Sequence, residues 1–233
     1  MDKNEKKDFP SGVEMIHTPI SFRTLKPTEI ECRAQSVYDK TLKILLYKNA
    51  RVDMNILDET VGSSNWQRTH EDIKGNLFCG VAIRQDGNEW IWKWDCGTES
   101  NTEKEKGEAS DAFKRACFCW GIGRELYTAP PISISLTDKD YFKGKLCQNF
   151  CVKEIECNSK KEITYLTIAD KYGNTRFKWG RKRCRPSPAQ KEKLFERLYK
   201  GEDIWQQIRD YFIIDEQAFN NAYRDFVLSK NSF

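Results

Sequence analysis

The chain has 233 residues, 39% of them hydrophobic and 32% charged, with a net charge of +4 and a pI near 8.5. That permits one large domain, or a main domain with a smaller appendage, and a heavily charged surface. It tolerates an anionic partner without demanding one.

No apolar run approaches membrane-spanning length, so no membrane role is expected. The first residues, MDKNEKKDFPSG, are charged and lack the apolar stretch of a signal peptide, which predicts an intracellular protein. In that compartment the nine cysteines, most of them inside apolar patterns, are expected as buried thiols.

Residues 1 to about 12 read as a disordered tail by composition. Ile20 to Leu25 is a short strand or the approach to one, and Pro27 breaks the chain. From Glu29 the pattern alternates, with Ile30, Cys32 and Ala34 on one side and Glu31, Arg33 and Gln35 on the other. This predicts a half-buried strand with Arg33 on its open face. A turn at Tyr38-Asp39-Lys40 leads into Leu42 to Tyr47. Asn49 can cap a helix carrying Val52, Ile56, Leu57 and Val61 that ends at Gly62.

The β signal is clearest next. Strands are predicted at Trp66 to Ile73, Leu77 to Arg84 and Glu89 to Cys96, with turns at Lys74-Gly75-Asn76 and Asp86-Gly87. Trp90, Trp92 and Trp94 share one face of the third strand, a pattern of core or interface, or of a base-stacking platform. A polar loop then becomes a helix from about Glu103. Its 3.6-residue period puts Ala109, Ala112, Phe113, Ala116 and Trp120 in one stripe, small enough to lie close on a sheet. Lys114 and Arg115 flank that stripe and Phe118 projects from the opposite side. A basic pair beside an aromatic suits a single nucleic-acid strand; a solvated face with Phe118 covered by a neighbouring subunit is the plainer alternative.

After Pro130-Pro131 the character changes. Gln148 to Glu156 and Glu162 to Asp170 read as two strands, and Thr175 to Trp179 follows a turn at Tyr172-Gly173-Asn174. From Lys171 to Arg185 there are seven Lys/Arg and no acid, which predicts a mobile basic arm able to touch phosphates. Helical spacings occupy 189 to 200 and 202 to 228. The last 33 residues are more acidic than those before them and could fold back on the arm or dock a partner. The fold class is therefore α+β, a mostly antiparallel meander packed on a long helix, with a C-terminal hairpin and helical tail.

Catalytic constellations are missing from this pattern. There is no Walker-type loop, and Gly121-Ile122-Gly123 lacks the strand-first context of a dinucleotide fold. His17 and His70 pair with no serine or cysteine at a usable spacing. Cys147, Cys151, Cys157 and Cys184 match no common zinc knuckle. Asp95, Glu99 and Glu103 are the only carboxylates for a metal-dependent nuclease, the competing function. No catalytic residue, metal or cofactor is expected. What remains is positive charge interleaved with aromatic surface, which favours backbone contact with bases left free or stacked.

At Asp111-Ala112-Phe113-Lys114-Arg115-Ala116, followed by Trp120-Gly121, the chain resembles the Rad-fifty-two-type single-strand annealing proteins, whose phage members are the Sak-like annealases. The resemblance includes Asp95-Cys96-Gly97, similar to an Asp-Val-Gly step before the family's helix. It also takes in Gly62 to Trp66, the helix start at Ala50-Arg51-Val52, and Pro27 to Arg33, and spans about residues 25 to 128. It implies a β-β-β-α annealing fold forming homo-oligomeric rings or arcs, with single-stranded DNA in an outer basic groove, bases exposed, and no nucleotide hydrolysis.

Carried over, Arg33 matches the first-strand arginine, Lys114 and Arg115 the lysine-arginine pair of the groove helix, and Tyr47 a groove tyrosine. Where the family has a further arginine this chain has Phe118, which would substitute stacking for charge. Lys104 and Lys106 are candidates for a second DNA site. The implied protein is a non-enzymatic recombination and repair factor, in the bacterial host cytoplasm if phage-encoded. By analogy its tail would contact a single-strand-binding protein or a recombinase. The domains are then a disordered tail (1–20), an annealing core (21–135), a β-hairpin with basic arm (136–185) and a helical acidic region (186–233). The alternative function is a metal-dependent nuclease or nuclease-associated repair factor.

Overall fold

The computed structural model describes residues 19–85, 89–98, 104–142 and 145–231. The expected N-terminal tail up to residue 18, the turn at Asp86-Gly87, and Glu99 and Glu103 lie outside the described residues. The architecture is α+β with antiparallel sheets and a helical C-terminal region, as the sequence pattern predicts.

Strands β1 (Glu31–Tyr38) and β2 (Thr41–Tyr47) form a hairpin. Its two turn residues, Asp39 and Lys40, both take positive φ (44° and 56°), the backbone that matches the twist of paired strands. A register shift between Ala34 and Ser36 makes Gln35 a bulge. Helix α1 (Ala50–Val61) starts where the Asn49 side chain accepts from the N–H groups of Arg51 and Val52, at 3.0 and 3.3 Å. It buries Val52, Ile56 and Leu57.

Next come β3 (Trp66–Ile73), β4 (Asn76–Arg84) and β5 (Trp90–Cys96), an antiparallel three-stranded sheet with β4 in the centre. One face carries Cys79, Val81 and Ile83, all fully buried against α2 (Lys104–Cys119). The other face carries Trp92 and Trp94, stacked at 5.6 Å and each more than a third exposed. Trp94 lies flat on Gly80, where an added Cβ would come within 2.6 Å of its ring.

Helix α2 sits close because its contacting side is small: Ala112 and Ala116 flank a fully buried Phe113, whose ring meets Trp66 at 6.2 Å. Gly97 permits the same approach from the strand side, since a Cβ there would meet the Glu108 carbonyl oxygen at 2.2 Å.

The chain then returns to the first hairpin. Strand β6 (Ile132–Ser135) pairs with β2, and β7 (Tyr141–Phe142) with β8 (Lys145–Leu146). Strands β9 (Phe150–Cys157), β10 (Ile163–Asp170) and β11 (Thr175–Gly180) form a meander that joins the open side of β1 at Glu31 and Cys151. The resulting six-stranded sheet has the order β11-β10-β9-β1-β2-β6.

Its two outermost strands meet. Arg176 on β11 donates to the Ser135 carbonyl on β6 at 2.8 Å, and pairs through both terminal nitrogens with Asp140 at 2.8 and 2.9 Å. Leu166 and Ile168 of β10 share one hydrophobic cluster with Phe113 and Ile134. The expectation of a mobile arm at 171–185 is thus corrected in part: residues 175–180 are a strand. Its cations are answered by acids from non-adjacent sequence, Lys182 by Glu154, and Arg183 by Glu156 at 3.5 Å.

The C-terminal helices are α3 (Pro188–Tyr199), α4 (Trp205–Tyr211) and α5 (Glu216–Lys230). They have their own cluster around Phe195, whose ring meets Phe219 at 4.9 Å and Tyr223 and Phe226 at 5.6 Å. The helical spacings over 202–228 belong to two helices. Phe212 leaves the helix to bridge Cys184, Ile213 donates to the Cys184 carbonyl at 3.0 Å, and Asp215 caps a new start. Among the described residues no helix is long and apolar enough to cross a membrane.

Candidate nucleic-acid interface

The open face of the β1–β2 hairpin and the outer side of α2 enclose a groove of about 610 Å³. Strand alternation brings Lys43, Leu45 and Tyr47 to the same face of β2, opposite Glu31 and Arg33 on β1. Helix α2 supplies Asp111, Lys114, Arg115 and Phe118, and the segment after it supplies Tyr127 and Pro130.

Arg33 lies with its guanidinium 4.8 Å from the centre of the Tyr47 ring and bonds to Glu31 at 2.8 Å. That bond holds the Glu31 carboxyl below its usual range, with a smaller contribution from the Lys114 charge across the groove. Lys114 is 3.7 Å from Asp111, one helical turn back, and Arg115 donates to Asp95 at 3.2 Å. Arg115–Asp95 is partly exposed and Lys114–Asp111 half-buried; solvent-screened pairs of this kind are worth about 1 kcal/mol, so a phosphate can take the place of the carboxylate. Asp95 is the penultimate residue of β5 and Gly97 packs against the α2 backbone, so the Asp95-Cys96-Gly97 step positions the Arg115 guanidinium.

Beneath the groove Lys48 is buried and paired with Asp53 of α1. Its stem crosses Gly123, where a Cβ would come within 2.3 Å of the Lys48 side chain and φ is +75°. Burial pushes the Asp53 carboxyl up to about 6, with Lys48 opposing the rise. One Asp53 oxygen, Oδ2, has no hydrogen-bond partner among the described residues.

Phe118 is met by a residue of its own chain: its ring is 4.7 Å from that of Tyr127. The Arg124 guanidinium stands 5.4 Å over the Phe118 ring and closes the end of α2 by donating to the carbonyls of Phe118 and Cys119 at 2.8 and 2.9 Å.

Four of the expected site residues line the groove, Tyr47 on the sheet wall and Lys114, Arg115 and Phe118 on the helix wall, and Arg33 adjoins it through its contact with the Tyr47 ring. Lys106 does not line this groove. It stands eight residues before Lys114, a rise of about 12 Å along the helix. Lys104 opens α2, and its side chain is outside the described residues.

Three groove residues escaped the sequence reading: Lys43, Lys48 and Tyr127. The alternation of β2 could have found Lys43, two places before Leu45 and four before Tyr47. Lys48 and Tyr127 carry no local signal, since α1 and the turn after α2 bring them in. Among the described residues no group of three or more His, Cys, Asp or Glu could hold a metal ion.

Comparison with known families decides the kinship. The Rad52/22 family double-strand break repair protein profile matches residues 20–141, 122 of the 233 residues. The chain belongs to the Rad52/22 family. The match spans β1 through β6, including every described wall of the groove. Rad52/22 proteins act in DNA repair and recombination, by single-strand annealing. The β3–β4–β5–α2 unit and the hairpin beside it are the part of this chain that falls within the family, whereas β9–β11 and the three C-terminal helices lie beyond the matched range. No curated protein sequence matches the chain.

Proposed function

We propose that this Rad52/22 protein binds single-stranded DNA along the groove between the β1–β2 hairpin and α2, and anneals complementary strands without hydrolysing nucleotide. The observation that carries the reading is the convergence of Lys43, Lys114 and Arg115, from a strand and a helix, on one channel, with Arg33 beside it against the Tyr47 ring. Their acidic partners, Glu31, Asp111 and Asp95, hold the side chains in place at little energetic cost to exchange. Phosphates occupy the cation side, Tyr47 and the Phe118–Tyr127 pair give flat apolar contact, and the bases face outward to sample a partner strand. Pairing itself supplies the free energy of annealing. Repetition of the groove around a ring or arc of identical subunits would multiply weak contacts.

The test is strand annealing by fluorescence with complementary oligonucleotides. The double variant Lys114→Ala/Arg115→Ala should lose annealing while its oligomeric state, read by light scattering, is unchanged. Normal annealing by a folded double variant would reject the assignment. Shortening of labelled single strands in Mg²⁺ or Mn²⁺ would point instead to a nuclease.

A further inference from the structure

The C-terminal helical region has a second cavity, of about 390 Å³, between α3, α4 and the end of β11. Its floor is aliphatic and buried: Ile208 is fully covered and Leu194 nearly so. The half-buried Phe212 completes the floor, and its ring is already met by the Arg181 guanidinium at 6.0 Å. Three cations, Arg181, Lys193 and Arg197, stand around it, and no carboxylate is among the nine residues that line it.

Arg197 is held by Glu202 at 2.8 Å and by Gln207 at 3.1 Å. Arg181 and Lys193, both exposed, have no ionic partner among the described residues. An apolar pit rimmed by charged residues is the arrangement that marks an interaction site.

We propose that this cavity docks an acidic peptide segment of a partner protein, with one bulky apolar side chain seated on Leu194 and Ile208 and flanking carboxylates on Arg181 and Lys193. Charge complementarity steers the segment and the apolar anchor holds it. The floor argues against a nucleic-acid occupant. Bases stack on open aromatic faces, whereas the floor residues Leu194 and Ile208 are aliphatic and Phe212 is faced by Arg181; the one open ring of the lining, Tyr211, stands at its rim. The cavity lies outside the region matched to the family and does not share a residue with the groove. Docking here therefore stands or falls apart from the groove.

Fluorescence anisotropy on the 233-residue chain tests it, with a labelled nonapeptide of alternating Asp and Gly that carries a central Phe. The wild type should bind, and replacing that Phe by Ala should weaken binding at least about tenfold, as anchor losses at interfaces do. Arg181→Glu/Lys193→Glu should abolish binding while circular dichroism and melting stay as in wild type. Lys193→Glu alone, at an exposed site on α3, should already weaken it. Lys114→Ala/Arg115→Ala should bind the peptide as wild type does. The proposal is overturned if the wild type ignores the peptide, if the Phe is dispensable, or if the charge-reversed variants bind it unchanged. It is equally overturned if they lose oligodeoxythymidylate binding and keep the peptide, the outcome that would make the cavity a DNA site.

Discussion

Lys48 and Asp53 show how a charge can serve the groove from below. Asp53 is fully buried, and its carboxyl is raised to about 6 by that burial. A raised carboxyl favours the folded state most below its unfolded value of 3.8, and that advantage is lost as pH climbs through about 6. Above that point the ionised Asp53 is tolerated because Lys48 is beside it. Lys48→Met should therefore cost about 3 kcal/mol near neutral pH, as removing one partner of a buried pair does. The loss should shrink at about pH 5, where the unpaired Asp53 takes a proton. Chemical denaturation at the two pH values would show it; an equal loss at both would contradict the pairing. Lys43 is the simpler case. It is an exposed cation with no ionic partner among the described residues, and Lys43→Ala should weaken single-strand binding without touching the melting temperature. Alternation put Arg33 on an open strand face, but only family resemblance made Arg33 and Tyr47 site residues. Their contact is a cross-strand one between β1 and β2, set by a register that no local pattern states.

At the scale of elements, the three-strand meander and α2 were legible nearly to the residue. Their period, turn glycines and small stripe all point the same way. Gly97 is the joint between them: Gly97→Ala drives a methyl group into the backbone of α2 at Glu108 and Ala112. About 2 kcal/mol of stability should go with it, the usual scale of overpacking, together with a displaced Arg115 and weaker DNA binding. A variant with wild-type melting would mean that β5 and α2 are not held so closely.

Two stretches are shaped by partners distant in sequence, and the first was misread for that reason. The basic run at 171–185 looks like an arm because its acids are distant in sequence: Glu154, Glu156 and Asp140 come from β9 and the turn before β7. The helical spacings over 202–228 are interrupted where Cys184 captures Phe212, again a long-range event. Arg176 tests the strand assignment. Its two bonds hold the Asp140 carboxyl far below the ordinary range, so this stability is present above about pH 4 and is lost as pH falls below it. Arg176→Ala should destabilise by about 3 kcal/mol near neutral pH, less in acid. Denaturation midpoints unaffected by the substitution would show that the edges of the sheet are not held by this residue.

For the whole molecule, the family region supplies the groove and its two walls, while β9–β11 extend the sheet and the C-terminal helices add a separate small core. The binding account makes one quantitative demand of this assembly. A strand neutralised by lysine and arginine releases counterions, so affinity must fall with salt in proportion to the phosphates contacted. The decisive measurement is the equilibrium affinity for labelled oligodeoxythymidylate across a salt series, for wild type and for Lys114→Ala/Arg115→Ala. Losing two phosphate contacts should flatten the log–log slope by about 1.4, at about 0.7 per contact on a single strand. Two parallel lines, or a wild type indifferent to salt, would contradict the groove as the seat of DNA binding.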